Sequence, residues 1–516
     1  MSEVPEGIVV SETAPSDARP SASLMLTRSG ESGLEVLLAH RVDELAAFPG
    51  YWAFPGGGIG KVDRNAVEKI SALSDFKDPI EAATHAGMHR ELIEEMGFII
   101  SSPGIVESAE TETRKAILED KSAWMKAVVD GQVPFCADAL IELTRRTTPE
   151  FASMRFENRF MFMHCKGEVP EPALDGQTEF DGFRWVTPAE VLSEWKAHQI
   201  KLPPPIVTIL MEVEELLPEF NGDIGALSAD ISSRAPAERT ILFAHGVECI
   251  PVPTTTLPPA TTTNCYLLGI PGGEHILVDP AIRNEEGKQR ITAAIQRMEA
   301  KGGKLIAYLF THRHLDHLGD LTLLKEISDA EIWASAETAA ALSGHVRRII
   351  MDADFIVLSG GEGAIMWRAL ITPGHCPGHV CLINDSGLIA GDMIAGMGTI
   401  LIPPVEGRME EYLQQLQRLK GLEPHLLFPS HGPILSLPQQ TLSNYIEHRE
   451  KRHDKVLMAV ESGLEELADI TIFAYEDTPA AHPILARQQT LSHLLAWQRV
   501  GKVSMDSDLW RLAGGG

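Results

Sequence analysis

The sequence lacks paired cysteines and long apolar runs. Its six cysteines are scattered over 516 residues without a Cys-x-x-Cys pair, so they read as buried thiols of a reducing compartment. No segment approaches the roughly 18 consecutive apolar residues that cross a bilayer. The first residues show neither the basic nor the apolar region of a signal peptide. These absences predict a cytoplasmic protein with no disulfides and no membrane partner.

Basic residues are also scarce. The chain has 44 Lys and Arg against 72 Asp and Glu, which gives a formal net charge of -28. Nucleic acids and anionic membranes repel such a polyanion at long range, so non-specific binding to either is excluded and RNA binding would need a local basic patch. The hydrophobic share of 44% is that of a soluble globular protein, and the length allows two or three domains.

The densest group of metal-preferring side chains lies between Thr311 and Asp320, directly after the strand-like run 304–310. An alternating His-x-His directs two imidazoles to the same side of an extended chain, and the Asp-His pair that follows can face a second ion. One loop can therefore serve two metals. The four side chains are His312, His314, Asp316 and His317.

The His-x-His-x-Asp-His pattern resembles the motif of the metallo-β-lactamase superfamily, in which further ligands follow on loops after strands. His375, Asp392 and His431 stand in such places. The resemblance implies two zinc ions, one bound by His312, His314 and His375, the other by Asp316, His317 and His431, with Asp392 bridging both. The best-known subclass of true β-lactamases has a cysteine in place of this aspartate, so the oxygen bridge indicates a substrate other than a lactam.

Two neighbouring cations lower the pKa of a shared water molecule toward about 7, which makes a bridging hydroxide nucleophile. Asp316 would orient this hydroxide and is therefore assigned a catalytic role as well as a ligand role. The expected reaction is hydrolysis of an ester, thioester or phosphodiester. Asp279 is expected to be a structural acid, and we do not expect His379, Cys376 or His425 to be ligands.

The N-terminal part has a second candidate site. A strand hairpin is predicted from 22–27 and 34–41. Further on, three glutamates at i, i+3 and i+4 would share one helix face, where like charges repel unless a cation such as Mg²⁺ or Mn²⁺ lies between them. This face suits a metal that carries a diphosphate. The glutamates are Glu91, Glu94 and Glu95.

The run Arg90–Phe98, together with the Phe-Pro-Gly-Gly run at 54–57, resembles the Nudix box. The resemblance implies Mg²⁺ or Mn²⁺ on the three glutamates, with Glu94 and Glu95 catalytic. An insertion at about 61–78 leaves open whether Asp63 or Glu81 replaces the first glutamate of the box.

Two arginines follow the box and belong to the same candidate site. Arg155 and Arg159 either meet substrate phosphates or pair with surface acids. The Nudix resemblance extends over about 20–215 and is to a subgroup that includes peroxisomal acyl-CoA diphosphatases. It implies a pyrophosphohydrolase that acts on a nucleoside diphosphate or a CoA-type substrate.

The last 80 residues show helical spacing followed by a short strand, which fits a winged helix. Residues 245–515 resemble the β-lactamase-like protein 2 family, which includes a mitochondrial endoribonuclease that cuts single-stranded RNA. The winged helix would wall the active-site cleft or mediate homodimerisation. The evident cationic cluster there, which is either an RNA contact or a solvated helix face, is Arg449, Lys451, Arg452 and Lys455.

The sequence thus predicts a multidomain protein of mixed α/β and α+β class. Its expected parts are a disordered segment 1–19, a Nudix α/β/α sandwich 20–215, a linker 216–240, a metallo-β-lactamase αββα sandwich 245–435 and a small winged-helix domain 436–516. The expected function is dinuclear zinc hydrolysis of a phosphodiester (RNA or nucleotide) or a thioester, joined to a Nudix pyrophosphohydrolase. The alternative is a glyoxalase II-like thioesterase whose Nudix domain is a regulatory module that binds a nucleotide or CoA without hydrolysing it.

Overall fold

The computed structural model describes residues 17–152, 154–234, 240–342, 344–361 and 363–513. The chain divides into an N-terminal unit that ends at His245 and a C-terminal unit that begins at Gly246. Residues 1–16 of the segment predicted to be disordered lie outside the described residues, and β1 already begins at Arg19.

The N-terminal unit alternates strands and helices. Its strands are β1 Arg19–Gly30, β2 Gly33–Arg41, β3 Trp52–Ala53, β4 Phe98–Ser102, β5 Ile105–Ser108, β6 Ile141–Thr147, β7 Phe156–His164, β8 Phe180–Val186 and β9 Leu242–Ala244. Its helices are α1 Lys61–Val67, α2 Pro79–Met96, α3 Thr111–Glu119, α4 Ser122–Val129, α5 Pro188–Lys196, α6 Pro204–Leu216 and α7 Ile224–Ser233, with 3-10 turns at Ser71–Asp75 and Leu217–Phe220.

The sheet of this unit has the order β3-β2-β1-β7-β6, and β8 pairs with β2. The predicted hairpin is present as the antiparallel pair β1 and β2. Alternate residues of β1 point to opposite faces: Leu24 packs with Leu92 of α2, whereas Met25 packs with Ile206 of α6. The unit is therefore a three-layer α/β/α arrangement, as predicted, while its assignment as a Nudix domain stays a prediction.

The prediction of a linker at 216–240 is wrong for most of its length. Residues 224–233 form α7. Asp223 caps the helix, and its side chain accepts a hydrogen bond from Ala226 N at 3.0 Å. Ile224, Leu227 and Ile231 are buried in the same core as α6. These three residues have helical spacing, but the Ser, Asp and Gly residues around them favoured the prediction of a linker. Residues 235–239 lie outside the described part.

The C-terminal unit contains the remaining elements. Its strands are β10 Val247–Pro253, β11 Thr262–Leu268, β12 Glu274–Val278, β13 Lys304–Leu309, β14 Glu331–Ala334, β15 Arg348–Ile349, β16 Phe355–Gly360, β17 Gly363–Ile371, β18 Val380–Asn384, β19 Gly387–Gly391, β20 Leu427–Pro429, β21 Val503–Asp506 and β22 Leu509–Leu512. Its helices are α8 Glu285–Ala300, α9 Leu315–Leu318, α10 Leu321–Ile327, α11 Ala336–Ala341, α12 Met409–Lys420, α13 Pro438–Glu461, α14 Leu467–Ala474 and α15 Pro483–Arg499.

Two sheets form the centre of this unit. In one sheet the strands run in the order β15-β14-β13-β12-β11-β10, and in the other they run from β16 to β20 in sequence order. The rings of Tyr266 on β11 and Phe428 on β20 lie 5.7 Å apart and join the two sheets. Ile291 of α8 packs with residues of the first sheet, and Leu416 of α12 packs with residues of the second. The predicted αββα sandwich is therefore present.

The end of the chain forms three helices and a hairpin. Val456 of α13, Ile470 of α14 and Leu494 of α15 share one core with Val503 of β21 and Trp510 of β22. Strands β21 and β22 pair antiparallel. This element order is the one expected of a winged helix, and that assignment stays a prediction.

Candidate metal centre

The seven ligand candidates of the C-terminal unit lie on four connections, each of which follows a strand. All seven side chains are buried, with exposed fractions of 0 to 6%. After β13, His312 and His314 lie on a loop, and Asp316 and His317 lie on the short helix α9 that follows it. The loop after β17 carries His375, that after β19 carries Asp392, and that after β20 carries His431. The fold thus brings together residues that are up to 119 positions apart in the sequence, from His312 to His431.

Three imidazoles converge on one point. His312 Nε2 and His375 Nε2 each lie 3.0 Å from His314 Nδ1. The other nitrogen of each ring is hydrogen-bonded away from this point, to Thr311 Oγ1, Leu401 O and Glu406 Oε1. A neutral imidazole that donates outward keeps a lone pair on its inner nitrogen. Three lone pairs therefore face one another with no proton between them, and a metal cation fits this arrangement.

Asp392 lies between this trio and the other histidines. Its Oδ2 is 3.5 Å from His317 Nε2 and 3.7 Å from His375 Nε2, and its Oδ1 is 3.6 Å from His431 Nε2. Both oxygens of Asp316, Oδ1 of Asp392 and Nε2 of His317 are buried and have no hydrogen-bond partner among the described residues. Burying unpaired carboxylate oxygens is costly unless a cation is bound. This donor set of imidazole nitrogen and carboxylate oxygen suits two divalent ions.

Asp279 supports the other side of the site. Its Oδ2 accepts a hydrogen bond from His317 Nδ1 at 2.9 Å, and its two oxygens accept from Thr311 N and Oγ1 at 2.8 and 2.6 Å. His431 Nδ1 similarly donates to Thr262 O at 3.1 Å. Such contacts fix the tautomer and the ring orientation of each imidazole. Asp279 therefore acts as a structural acid at the edge of the site.

His379 orients the loop that carries Asp392. Its Nε2 accepts a hydrogen bond from Asp392 N at 3.0 Å, and its Nδ1 lies 2.8 Å from Thr372 Oγ1. Both ring nitrogens are thus engaged. Gly391 has a φ of +53°, and a Cβ there would lie 2.4 Å from His379 Nε2, so this close approach requires glycine. Buried Cys376 offers a sulfur atom within 4.8 Å of ligand atoms of His312 and His375.

The buried imidazoles and carboxylates of the site shift each other's pKa values. Burial lowers the pKa of His317, but Asp392 and Asp316 outweigh it and raise this pKa well above its ordinary value. The same balance raises the pKa of His431 to about 9. Burial raises the pKa of Asp392, yet His317 and His431 hold it far below its usual range. His312, surrounded by other imidazoles, has a pKa lowered well below its ordinary value, by burial first.

Glu406 is a site residue that the sequence interpretation missed. Its Oε1 accepts a hydrogen bond from His314 Nε2 at 2.8 Å, and its Oε2 accepts from Arg313 Nε at 3.1 Å. The hydrogen bond from His314 lowers the pKa of Glu406 to about 2, against the effect of partial burial. A single glutamate after Pro403 and Pro404 has no spacing that marks it in the sequence. Only the fold brings it to His314.

In the N-terminal unit, Arg90 lies among the acids of the second candidate site. It donates to Asp63 Oδ1 at 2.7 Å, to Glu91 Oε1 at 2.8 Å and to Glu94 Oε1 at 2.7 Å. Asp63 is fully buried, whereas Glu81 lies in the first turn of α2 and is half-buried. Of the two acids left open by the sequence, Asp63 is the one beside the glutamates.

The carboxylates on α2 are crowded. Burial raises the pKa of Glu91 to about 7, although Arg90 opposes the shift. Burial and Glu91 raise the pKa of Glu95 well above its ordinary value, and Glu95 Oε1 is buried without a hydrogen-bond partner among the described residues. Its Oε2 accepts from Gly56 N at 2.9 Å. Arg90 and Lys121 offset part of the charge on Glu91 and Glu94, and the buried carboxylate of Glu95 adds to the crowding, so a divalent cation fits here too.

The basic residues singled out in the sequence are engaged within the protein. Arg159 is buried and pairs with Asp78 at 2.8 Å and Glu142 at 3.1 Å, and a contact of this arginine with a substrate phosphate stays a prediction. Arg155 Nε donates to Thr148 O at 3.1 Å.

The cationic cluster of α13 does not form a basic surface. Arg449 and Arg452 are buried, with exposed fractions of 2 and 4%. Lys451 pairs with Glu447, and Lys455 pairs with Glu476 and Asp477. Within the described part of the chain, no helix is both long and apolar enough to cross a membrane.

Comparison with known proteins gives matches over the C-terminal unit. A family model described as the metallo-beta-lactamase superfamily matches residues 258–431. The chain is 30% identical over 225 residues to the beta-lactamase-like protein 2 homolog of Caenorhabditis elegans, which is 42% of this chain and 72% of that protein. It is 28% identical over 257 residues to the Drosophila melanogaster homolog, which is 47% of this chain and 84% of that one.

Another relative is the atrochrysone carboxyl ACP thioesterase of Aspergillus fumigatus. The two are 29% identical over 203 residues, which is 39% of this chain and 60% of that protein, so the chain spans about three fifths of its length. Among solved structures, a beta-lactamase domain protein from Burkholderia ambifaria matches with a TM-score of 0.46 and 22% identity over 55% of this chain and 96% of its own. A NUDIX hydrolase from Alicyclobacillus acidocaldarius matches with a TM-score of 0.34 and 22% identity over 38% and 91%.

Proposed function

Since the chain belongs to the metallo-beta-lactamase superfamily, we propose that its C-terminal unit is a dinuclear zinc hydrolase that cleaves a thioester. The observation that carries the proposal is the convergence of three imidazoles beside buried carboxylate oxygens that have no hydrogen-bond partner among the described residues. The similarity to the atrochrysone carboxyl ACP thioesterase of Aspergillus fumigatus supports the choice of bond. One cation would be held by His312, His314 and His375, the other by Asp316, His317 and His431, with Asp392 between them.

The protein groups prepare the site for this chemistry. Two divalent cations, when bound, would lower the pKa of a shared water molecule and stabilise negative charge on the substrate. Asp316 would accept a hydrogen bond from that water molecule, since both of its buried oxygens are without a partner among the described residues. Asp279 and Thr262 hold the rings of His317 and His431, so that only their inner nitrogens face the site. Burial keeps bulk water from competing for these groups.

Cleavage of an RNA phosphodiester is the second candidate, and the charge of the molecule opposes it. The net charge is -28, and the basic residues of α13 are buried or paired with acids. Binding of RNA draws most of its affinity from free cationic side chains that replace counterions. A small thioester needs no such surface, so we favour it.

A substrate panel tests the proposal. The purified chain is given an acyl thioester, single-stranded RNA, a phosphodiester of a nucleotide and a β-lactam, before and after removal of metal by a chelator. We expect thioester cleavage that is lost on metal removal and restored by zinc. Cleavage of RNA but not of thioester would replace the proposal with the second candidate, and activity that survives complete metal removal would refute both.

For the N-terminal unit we propose a Nudix-type pyrophosphohydrolase that uses Mg²⁺ or Mn²⁺ on Glu91, Glu94 and Glu95. The crowded, buried carboxylates on α2 support it. Release of a nucleoside monophosphate or a phosphopantetheine product from ADP-ribose or CoA in the presence of Mg²⁺ is the expected result. Binding of these compounds without turnover would instead support a regulatory module, as the alternative reading of the sequence holds.

A further inference from the structure

One short segment supports two histidines of the metal centre. The segment comprises residues 400–406 and is named the support segment. Within it, Leu401 O accepts a hydrogen bond from His375 Nδ1 at 2.8 Å, and Glu406 Oε1 accepts from His314 Nε2 at 2.8 Å. Two of the three converging imidazoles therefore take their orientation from these seven residues.

The C-terminal helices hold the support segment by its backbone. Arg449 of α13 donates to Ile400 O. Gln489 Nε2 and Ser492 Oγ of α15 donate to Ile402 O at 3.0 and 2.6 Å. These two carbonyls flank Leu401 on either side. Polar groups from α13 and α15 thus fix the peptide units next to the one that binds His375.

These contacts are specific and buried. The exposed fractions of Arg449, Gln489 and Ser492 are 2, 6 and 3%. Arg449 Nη1 also donates to Gln489 Oε1, so the donors from the two helices form one connected network. Apolar contacts alone can pack helices against a loop. A buried polar group, by contrast, costs desolvation free energy that its hydrogen bonds must offset, and such bonds require defined positions of donor and acceptor. The network therefore determines where the support segment lies.

We propose that α13 and α15 position the metal ligands His375 and His314 through the support segment, so that Arg449, Gln489, Ser492 and Glu406 are positioning residues of the metal centre. The proposal rests on the proposed function, because it requires that the histidines bind metal. Hydrogen bonds from outer groups to ligand imidazoles typically raise metal affinity by about 10-fold to 100-fold. The three helices and hairpin would then be an integral part of the hydrolase and not an appended module.

The first test removes the contacts to Ile402. We expect Ser492→Ala, alone and combined with Gln489→Leu, to weaken the binding of one of the two zinc ions, by roughly 10-fold in the double variant. Thr490→Val is the matched control, because Thr490 lies on the same helix, is fully buried, and donates to Ala486 O within α15 rather than to the support segment. Zinc dissociation constants from competition with a chelator give the readout, together with the visible spectrum of the cobalt-substituted protein.

The second test changes the other end of the support segment. Glu406→Gln keeps the size of the side chain and removes its charge, and we expect weaker zinc binding and an altered cobalt spectrum. Glu410→Gln is the control, since Glu410 lies four residues further along the chain and pairs with Arg499 at 2.5 Å. Glu406→Asp should retain part of the affinity if the carboxylate charge facing His314 Nε2 is what matters.

The outcomes separate this inference from the proposed function. If the wild-type chain binds no zinc, both fail. If it binds two zinc ions and hydrolyses thioesters while Ser492→Ala and Glu406→Gln bind both ions with unchanged affinity and spectrum, the inference alone fails. Should the double variant not fold, the comparison of Ser492→Ala with Thr490→Val decides, because each removes one buried hydroxyl from the same helix.

Discussion

At the scale of single residues, the metal centre depends on the direction in which each imidazole donates. Leu401 O and Thr262 O accept hydrogen bonds from the outer nitrogens of His375 and His431, so the inner nitrogens of both rings face the site. The carboxylate of Asp392 lies between the two groups of histidines, where its charge would balance the two proposed cations.

Asp392→Asn tests that balance. The amide has nearly the same shape but no charge, so we expect the zinc content to fall below two ions per chain and turnover to fall by at least about 100-fold, since both ions would lose a ligand. Metal analysis after gel filtration gives the stoichiometry. Asp385→Asn, on the exposed turn before β19, is the control. An unchanged content of two zinc ions would contradict the bridging role.

His89 on α2 is a residue whose effect is on stability. It is 4% exposed, its Nδ1 donates to His85 O, and it packs against Phe135 with ring centroids 4.5 Å apart. Burial lowers its pKa to about 4, although hydrogen bonds to backbone groups of His85 and Cys136 oppose the shift. The folded chain therefore resists protonation here.

This shift predicts a loss of stability in mild acid. Between pH 6.5 and about 4 the unfolded chain binds a proton at His89 that the folded chain does not, so the free energy of unfolding decreases as pH falls. Between pH 6.5 and 4.5, we expect the free energy of unfolding of His89→Leu to decrease by about 2 kcal/mol less than that of the wild type. Urea unfolding at the two pH values measures it, with the exposed His345→Leu as control. Equal losses in both variants would rule out His89 as the cause.

At the scale of elements, α2 determines the second candidate site. It begins where Asp78 accepts a hydrogen bond from Ile80 N and Pro79 occupies the first turn, and it ends at Gly97 with a φ of +68°. Between these ends the helix is continuous, so the spacing of three residues places Glu91 and Glu94 on one face. The left-handed conformation at Gly97 then turns the chain into β4.

Gly97→Ala should therefore destabilise the N-terminal unit. A left-handed conformation costs a residue with a Cβ about 1–2 kcal/mol. The added Cβ would also lie 3.3 Å from Arg114 Cδ and from Ala173 Cβ. Urea unfolding measures the change. In the control Gly58→Ala, the added Cβ meets nothing within 4 Å, so equal effects of the two substitutions would refute the explanation.

At the scale of the whole molecule, the two candidate sites lie in different compact units. The acids on α2 belong to the N-terminal unit, and the histidine cluster belongs to the C-terminal unit. Each site draws its ligands and the partners named above from its own unit. The two proposed activities should accordingly respond separately to substitution.

Separate substitutions test this independence. We expect Glu94→Gln to abolish Mg²⁺-dependent pyrophosphohydrolase activity and to leave zinc-dependent thioester cleavage within about 2-fold of the wild type, because each ligand set is local. Asp392→Asn should have the reverse effect. Both activities are measured on the same preparations of the full chain. Loss of both activities in either variant would show that the sites depend on each other.

The sequence alone determined the class of chemistry and much of the architecture. The spacing of His312, His314 and His317 marks a metal loop because ligands on one loop are adjacent in the chain. The hairpin of β1 and β2 follows from local apolar patterns, which indicate which face of an element is buried, whereas the αββα layers were implied by the resemblance to the metallo-β-lactamase superfamily. The same kind of pattern was overlooked in α7, where a polar composition suggested a linker.

The tertiary structure alone decided which distant groups surround the ligands. Glu406 and Leu401 carry no local sequence signal. They contact His314 and His375 because polar groups of α13 and α15 bind the support segment in which both residues lie. It also showed that Arg449, basic in the sequence, is a buried donor to a backbone carbonyl rather than part of a surface. The spacing of residues along one element indicates which of its faces is buried. Which residues far apart in the chain come into contact depends on how whole elements pack against each other.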